Sequence, residues 1–345
     1  AGAAGLATAI FAARANPAMR IGCLDGAGKV GAKILISGGG RCNVTNVHVA
    51  ADDFCGGSRN SIRRVLSAFN EKQTAGFFAE LGVALHEEKC GKLFPDSNSA
   101  RTVLAAILAE IEKTGVELRS GCRVQGIRHR SEGFEITALS VEEGREVPFS
   151  ARRVVLATGG KSFPKTGSDG FGYELAQSLG HTIIDPVPAL APLILDGKHD
   201  PSLSGVSHEN VEVTIRVQGQ KPLRIVGPML WTHFGASGPA MMDASRHWHR
   251  AVNNGLSAKI TLSLLPGADF VTVEKHILDL ALDQPNALLH NALSRIVPIR
   301  MTETIASRLG IDRRRTMSGL TRDERRRIVL ALPAWPLEVV DSRGF

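Results

Sequence analysis

The sequence predicts an α/β fold built around a dinucleotide-binding βαβ unit, and three observations carry that prediction. A glycine-spaced loop, Ala1-Gly2-Ala3-Ala4-Gly5, opens directly into the alanine-rich segment AAGLATAIFAARA at 3–15. A short apolar run from Met19 to Leu24 then ends at Asp25, twenty residues after Gly5. The chain also carries 36 glycines in 345 residues, a supply typical of α/β proteins that grip phosphate with bare backbone.

Within 3–15, Leu6, Ile10 and Ala13 recur at helical spacing, and Pro17 follows soon after. Met19–Leu24 is a short buried strand. The chain thus begins inside a βαβ unit, and the sequence predicts that residues ahead of Ala1, including a first strand, are missing. Residues 32–46 (AKILISGGGRCNVTN) form a loop around three consecutive glycines. Helical patterns follow at 61–82 and 100–114, the second capped near Asn98 or Ser99 and ended at Gly115. Alternating segments at 116–119, 122–128, 133–138 and 145–150 predict an antiparallel meander. Residues 153–157 (RVVLA) are a buried apolar strand running into Thr158-Gly159-Gly160, and Tyr173 to Leu179 is a helix stopped by Gly180.

After Asp185 the character changes. Pro186, Pro188 and Pro192 punctuate a linker, and alternating segments such as 210–217 and 258–264 mark a β-rich unit. Residues 270–330 are helical in pattern and rich in Arg, and Leu337 to Phe345 is a strand and turn. The predicted domains are therefore 1–185, resuming after about 337; a β-rich insert at 186–265, completed by 325–336; and a helical insert at 266–324.

The net charge is +7, with short arginine clusters at Arg313-Arg314-Arg315 and Arg325-Arg326-Arg327. One Tyr and three Trp offer little base-stacking equipment, so these clusters are expected to be solvated helix faces rather than a nucleic-acid surface. The five cysteines, Cys23, Cys42, Cys55, Cys90 and Cys122, form no CxxC pair and no zinc-ligand spacing, so no metal is expected and a reducing cytoplasm fits. No apolar run approaches the roughly 20 residues of a membrane span, and no signal peptide is recognisable.

A GxGxxG loop works because its glycines permit a tight strand-to-helix turn and close backbone approach to a pyrophosphate at the positive helix end. Here Gly2 and Gly5 are the second and third glycines, and Asp25 stands where an acid hydrogen-bonds ribose hydroxyls. Gly26-Ala27-Gly28-Lys29-Val30-Gly31 competes for the role. A dinucleotide loop must open a helix, however, and AKILIS is too short for one before Ser37-Gly38-Gly39-Gly40. The rival is therefore assigned to the turn after the second strand. In Ile36–Asn46 the three glycines expose amides that could line a phosphate or flavin nest, and Arg41 supplies a positive charge. A flexible loop is the simpler alternative, against which ILIS would anchor the segment in the core.

These segments together resemble the BaiN/YhiN-type bacterial flavoproteins of the two-dinucleotide-binding-domain superfamily. The carrying motifs are AGAAGLATA (1–9), KILISGGGRCNVTN (33–46), KLFPDSNSARTVL (92–104), LATGGKSFPKTGSDGFGYELAQSLGH (156–181), PALAPL (188–193) and THFGASGPA (232–240). The resemblance implies a Rossmann-like FAD-binding domain with an inserted β-barrel-like plus helical domain. It implies that Gly2, Ala3, Ala4 and Gly5 cradle the FAD pyrophosphate and that Asp25 holds the adenosine ribose. Lys33, Gly38, Gly39, Gly40, Arg41, Cys42 and Asn43 would lie around the cofactor. Val124 would meet the adenine through its backbone, and Thr158, Gly159 and Gly160 would pass beside it. The family's glycine-rich C-terminal segment is not in the sequence, so the expectation is either that residues are missing at that end or that FAD binding is impaired.

A flavin brings its own hydride chemistry; the protein orients it and excludes side reactions. No second nucleotide fingerprint appears in 186–330, so NAD(P)H is expected to dock transiently as reductant of a flavin that acts on a small molecule. Cys42, without a partner cysteine, is more simply structural than redox-active. His233 is a candidate proton donor, although a lone His is more often a structural hydrogen-bonder. Lys161 and Lys165 could steer an anionic substrate or simply face solvent. The competing class is a flavin-dependent sensor or RNA-associated protein whose basic helical insert is the working surface.

Overall fold

The computed structural model describes residues 1–345 except Lys198 and Arg313, so of the first arginine cluster only Arg314 and Arg315 are placed. The chain divides into two units, Ala1–Ile184 and Asp185–Phe345.

The first unit runs α1 (Ala3–Ala15), β1 (Gly22–Leu24), α2 (Ala32–Ile36), β2 (Thr45–Asn46), α3 (Arg59–Ala68), α4 (Glu71–Glu80), β3 (Leu85–Glu88), β4 (Lys92–Pro95) and α5 (Ala100–Lys113). It continues with β5 (Glu117–Arg119), β6 (Cys122–Arg130), β7 (Gly133–Ser140), β8 (Arg145–Ala151) and α6 (Phe171–Ser178). Leu6, Ala9, Ile10 and Ala13 form the buried stripe of α1, as their spacing predicts. They share a core with Val103, Ile107 and Ile111 of α5 and Phe77 of α4. Strands β1 and β5 pair in parallel, Gly22 opposite Glu117, which is the βαβ arrangement. The expected long helix at 61–82 is two helices, because Asn70 caps α4 with its side chain and breaks the run. The meander is β6-β7-β8, packed through Ile127 and Ile136 on Leu175 of α6.

Two expectations for this unit are corrected. Residues 32–36 do form a helix, α2, one short turn opened by Gly31 in the left-handed region. Tertiary packing of Ile34 into the core supplies what five residues lack in intrinsic helix stability. Residues 153–157 are not a buried strand: they lie in no sheet, and Val155 is 66% exposed. A strand needs a ladder partner for its amides and carbonyls, and among the described residues none lies beside this one.

The second unit contains β9 (Leu193–Leu195), β10 (Ser207–Val217), β11 (Leu223–Thr232), β12 (Gly235–Ser237), α7 (Pro239–Asn253), β13 (Ala258–Ser263), α8 (Phe270–Asp283), α9 (Leu289–Leu293), α10 (Ile299–Arg308), α11 (Arg322–Ala331), β14 (Trp335–Leu337) and β15 (Val339–Ser342). Its strands form one seven-stranded antiparallel sheet in the order β14-β13-β10-β11-β12-β9-β15. The two edge strands, β14 and β15, are joined by Glu338 alone. One residue spans only about 7 Å between its neighbours' Cα atoms, so the sheet must curl until its edges meet. The segment after 337, expected to rejoin the first domain, is thus a strand of this sheet, with Ser342 opposite Leu193. The helices belong to the same core as the sheet: Val273, Ile277, Leu293, Met301, Ile305 and Ile328 pack with Val213, Ile215 and Leu262.

Inside the first unit, Glu110 of α5 is buried at 6% exposure and receives Nε of Arg14 at 2.9 Å, with Lys113 at 3.5 Å. The Arg14 hydrogen bond holds its carboxyl below the ordinary range, against desolvation. A lowered folded value means stability that is present above the unfolded carboxyl value of about 4.3 and is lost as pH falls through the folded one. Arg14→Met should therefore destabilise the protein by about 1–3 kcal/mol at neutral pH by stranding that carboxylate. The difference should shrink toward pH 3 in urea-unfolding curves; a pH-independent loss would show that the pair is not responsible.

Candidate functional site

The glycine loop sits where a helix needs an anion. Gly2 is the N-cap of α1 in extended conformation and, having no side chain, makes no capping hydrogen bond; no acid lies in the first turn. The first-turn amides of Ala3, Ala4 and Gly5 are therefore open to an anion at an end carrying roughly half a positive charge. A Cβ on Gly2 would meet nothing within 4 Å, so the approach is clear on the ligand side. A Cβ on Gly5 would stand 3.4 Å from that of Ala157, the close packing asked of the third glycine.

Asp25 lies directly beside this loop. Its Oδ1 accepts from Ala27 N at 2.8 Å, and its Oδ2 is 2.8 Å from the Ala1 nitrogen. Backbone bonds from Asp25 N to Arg119 O (2.9 Å) and from Cys122 N to Asp25 O (2.7 Å) tie it to β5 and β6. On β6 the ladder slips between Val124 and Gly126, a bulge that leaves Gln125 out of register next to Val124. Thr158, Gly159 and Gly160 follow Ala157 and pack on the start of α6, where a Cβ on Gly160 would stand 3.1 Å from the Tyr173 hydroxyl. Lys33 donates from Nζ to Ser162 O at 2.8 Å. One neighbourhood thus holds the glycine loop, Asp25, the Val124 bulge and the 157–162 segment, with Lys33 bonded to its end.

The second glycine segment is built differently. Gly38, Gly39 and Gly40 follow one another at φ 56°, 70° and 86°, and Cys42 N closes the turn on Ser37 O at 3.0 Å. Only glycine fits at Gly38, where a Cβ would meet Asn43 N at 2.7 Å and Phe94 Cε1 at 2.8 Å. Gly39 has open space, and Asn43 is exposed. Cys42 is buried with φ 65°, a conformation rare for a side-chain-bearing residue. Arg41, expected to supply a positive charge, is held within the fold. Its guanidinium lies 4.2 Å over the Phe94 ring and donates to Glu88 from both Nη atoms, Nη2 to Oε2 at 3.3 Å. That bond holds the Glu88 carboxyl below its ordinary range. Sequence reading gave Glu88 and Phe94 no role. The KLFPDSNSARTVL motif contains Phe94, but its contact with the glycine turn depends on the β3–β4 hairpin register, in which His86 faces Phe94.

Of the two catalytic candidates, Cys42 belongs to this turn. His233 is exposed at the β11–β12 turn of the second unit, its backbone oxygen 3.2 Å from His199 Nε2. Lys161 lies over Gly170, where a Cβ would meet its side chain at 2.9 Å, and Lys165 is exposed. Among the described residues no group of three or more His, Cys, Asp or Glu side chains could hold a metal ion, and no helix is long and apolar enough to cross a membrane.

A parallel βαβ unit with an uncapped glycine-led helix and an adjacent acid defines a dinucleotide-binding α/β protein. The chain belongs to the family of the HI0933-like protein Rossmann domain, whose model matches residues 1–280. The cofactor of this family, and of this chain, is FAD, and the chain is an FAD-dependent oxidoreductase. The open amides at α1 and the clear space at Gly2 fit that dinucleotide. The chain is 31% identical over 345 residues, all of it and 82% of the relative, to the 3-dehydro-bile acid delta(4,6)-reductase of Clostridium scindens. It is 28% identical over 346 residues, all of it and 81% of the relative, to the ribosomal RNA dihydrouridine synthase of Escherichia coli. The enzyme of that name from Haemophilus influenzae is 28% identical over 303 residues, covering 88% of this chain and 71% of its own.

The glycine turn yields a graded prediction. Gly38→Ala should cost about 1–3 kcal/mol through positive φ and collision with Asn43 N and Phe94, whereas Gly39→Ala bears the φ penalty alone, about 1 kcal/mol. Thermal unfolding of both variants tests the order; equal losses would mean that Phe94 yields freely.

Proposed function

We propose that the chain is a reductase that adds two hydrogens across a carbon–carbon double bond conjugated to a carbonyl, with NAD(P)H as transient electron donor. One observation carries this reading: relatives matching the whole chain bear names for that one bond change on unlike substrates. A 3-dehydro-Δ4,6 steroid and a uridine ring both present a C=C next to C=O. Bound FAD supplies the hydride chemistry. In this reading the α1 amides and Gly2 hold the pyrophosphate, Asp25 the ribose, the Val124 backbone the adenine, and Lys33, Gly38–Asn43 and Thr158–Gly160 the remainder. Saturating such a bond also requires a proton, and Cys42 Sγ and the His233 ring are the donor candidates. Five free cysteines agree with a reducing cytoplasmic setting.

A specific observation favours RNA over a free small molecule as substrate. Residues 285–332 contain ten arginines, no lysine and four acids, a net +6 that is nearly all of the chain's +7. Several of these arginines serve the fold: Arg315 pairs with Glu324, Arg327 with Asp323, and Arg308 lies over Trp335. Arg314, Arg322, Arg325 and Arg326 have no side-chain partner among the described residues. The last three share one face of α11, and the Arg315–Glu324 pair brings Arg314 to its start. Such a set suits a phosphodiester backbone.

Anaerobic NADH or NADPH should bleach the flavin band near about 450 nm, and re-oxidation by a 3-oxo-4,6-diene or a uridine-rich RNA should identify the substrate; absence of bleaching by either nucleotide sinks the proposal. If Cys42 or His233 gives the proton, Cys42→Ala or His233→Ala should slow re-oxidation about 100-fold while leaving bleaching unchanged. For the RNA reading, Arg322→Gln/Arg325→Gln/Arg326→Gln should lower the salt slope of RNA binding by about 2. An unchanged slope would return the small molecule as substrate.

A further inference from the structure

The β3–β4 hairpin carries a cluster of titratable side chains on the same side as the glycine turn. Glu88 ends β3 and His86 lies two residues earlier, on the same face. Phe94 stands opposite His86 across the ladder, their ring centroids 6.5 Å apart. His86 Nδ1 is 3.2 Å from Asp96 Oδ1, and its Nε2 is 3.7 Å from Glu88 Oε1. Into this face comes Arg41, the residue directly after the three left-handed glycines. Its guanidinium covers Phe94 at 4.2 Å, grips both Glu88 oxygens and reaches Asn98 Oδ1 at 3.5 Å.

Three independent contacts therefore fix the turn from one side. Phe94 fills the space where Gly38 lacks a side chain, Val44 N bonds to Leu93 O at 2.9 Å, and Glu88 holds Arg41. Of these, the Glu88–Arg41 fork is the one that is both bidentate and charge-assisted, and it acts on the turn's C-terminal end together with the Val44 bond. The backbone there needs such a hold: Cys42, a residue with a side chain at φ 65°, is sustained only where the surroundings over-determine it.

We propose that Glu88 is a positioning residue for FAD binding: through its fork with Arg41 it holds the Gly38–Asn43 turn in the conformation that receives the cofactor. Arg41 then serves as the anchor that ties the turn to the hairpin. The proposal rests on the assignment of this turn to the FAD site made above.

Two measurements on the same variants test it. Amide hydrogen exchange across Gly38–Asn43 in the apoprotein reads the clamp without cofactor, and FAD titration of the apoprotein, followed by flavin fluorescence, reads its consequence. Glu88→Ala and Arg41→Lys should each speed exchange in the turn and weaken FAD binding, both by roughly tenfold or more. Glu88→Gln, which keeps the shape and one acceptor, should fall between them and the parent protein. Glu135→Ala, which breaks the exposed Arg130–Glu135 pair of the meander, should change neither reading. Unaltered turn exchange in Glu88→Ala overturns the proposal, and so does faster exchange with unaltered FAD affinity. If the parent apoprotein does not take up FAD at all, the cofactor assignment has failed rather than the clamp.

Discussion

The first unit is organised by a helix whose N-terminus has no cap of its own. An α-helix leaves its first amides without intrahelical partners, and most helices answer with Ser, Thr, Asp or Asn at the cap. At α1 the cap is Gly2, which answers with nothing. The cost of those bare amides is tolerable because Leu6 and Ile10, both fully buried, pin the helix onto α5 from the other side. Gly5 brings α1 close to Ala157, and the Asp25 carboxylate turns toward the loop under the hold of Ala27. Removing the cap and strengthening the packing leave a firmly held helix end whose first amides are open to an anion.

The second unit is governed by a different constraint, the single residue between its two edge strands. With only Glu338 joining β14 to β15, the seven-stranded sheet curls, which shields both edges from pairing with another chain. The curled sheet and the α8–α11 helices have a common apolar core, so the helical stretch is one layer of this unit rather than a separate body.

Arginine has several physical roles across the molecule, and its chemistry separates them. Arg14 neutralises the buried Glu110, Arg41 ties a strained turn to a hairpin, and Arg308 covers an indole. Each uses the planar guanidinium for packing as well as charge. The arginines of α11 without side-chain partners among the described residues stand apart from these.

Much of this was legible in the sequence, where local rules suffice. Helical spacing of Leu6, Ile10 and Ala13 gave α1, alternation gave the meander, and the glycine spacing gave the loop that opens α1 beside Asp25. The composition change after Asp185 falls on the boundary between the two units. What the sequence misassigned depends on partners distant in the chain. RVVLA is apolar enough for a buried strand, but a strand exists only with a ladder neighbour. AKILI is too short for a stable helix until the core accepts Ile34. Arg41 carries a charge in any reading, yet its direction was decided by Glu88, forty-seven residues later. Sequence by itself determined which segments could be helix, strand or phosphate loop, because those preferences act over a few residues. Only tertiary structure decided which side chains face the site and which hold it in place, because contact between residues far apart in the chain is fixed by packing.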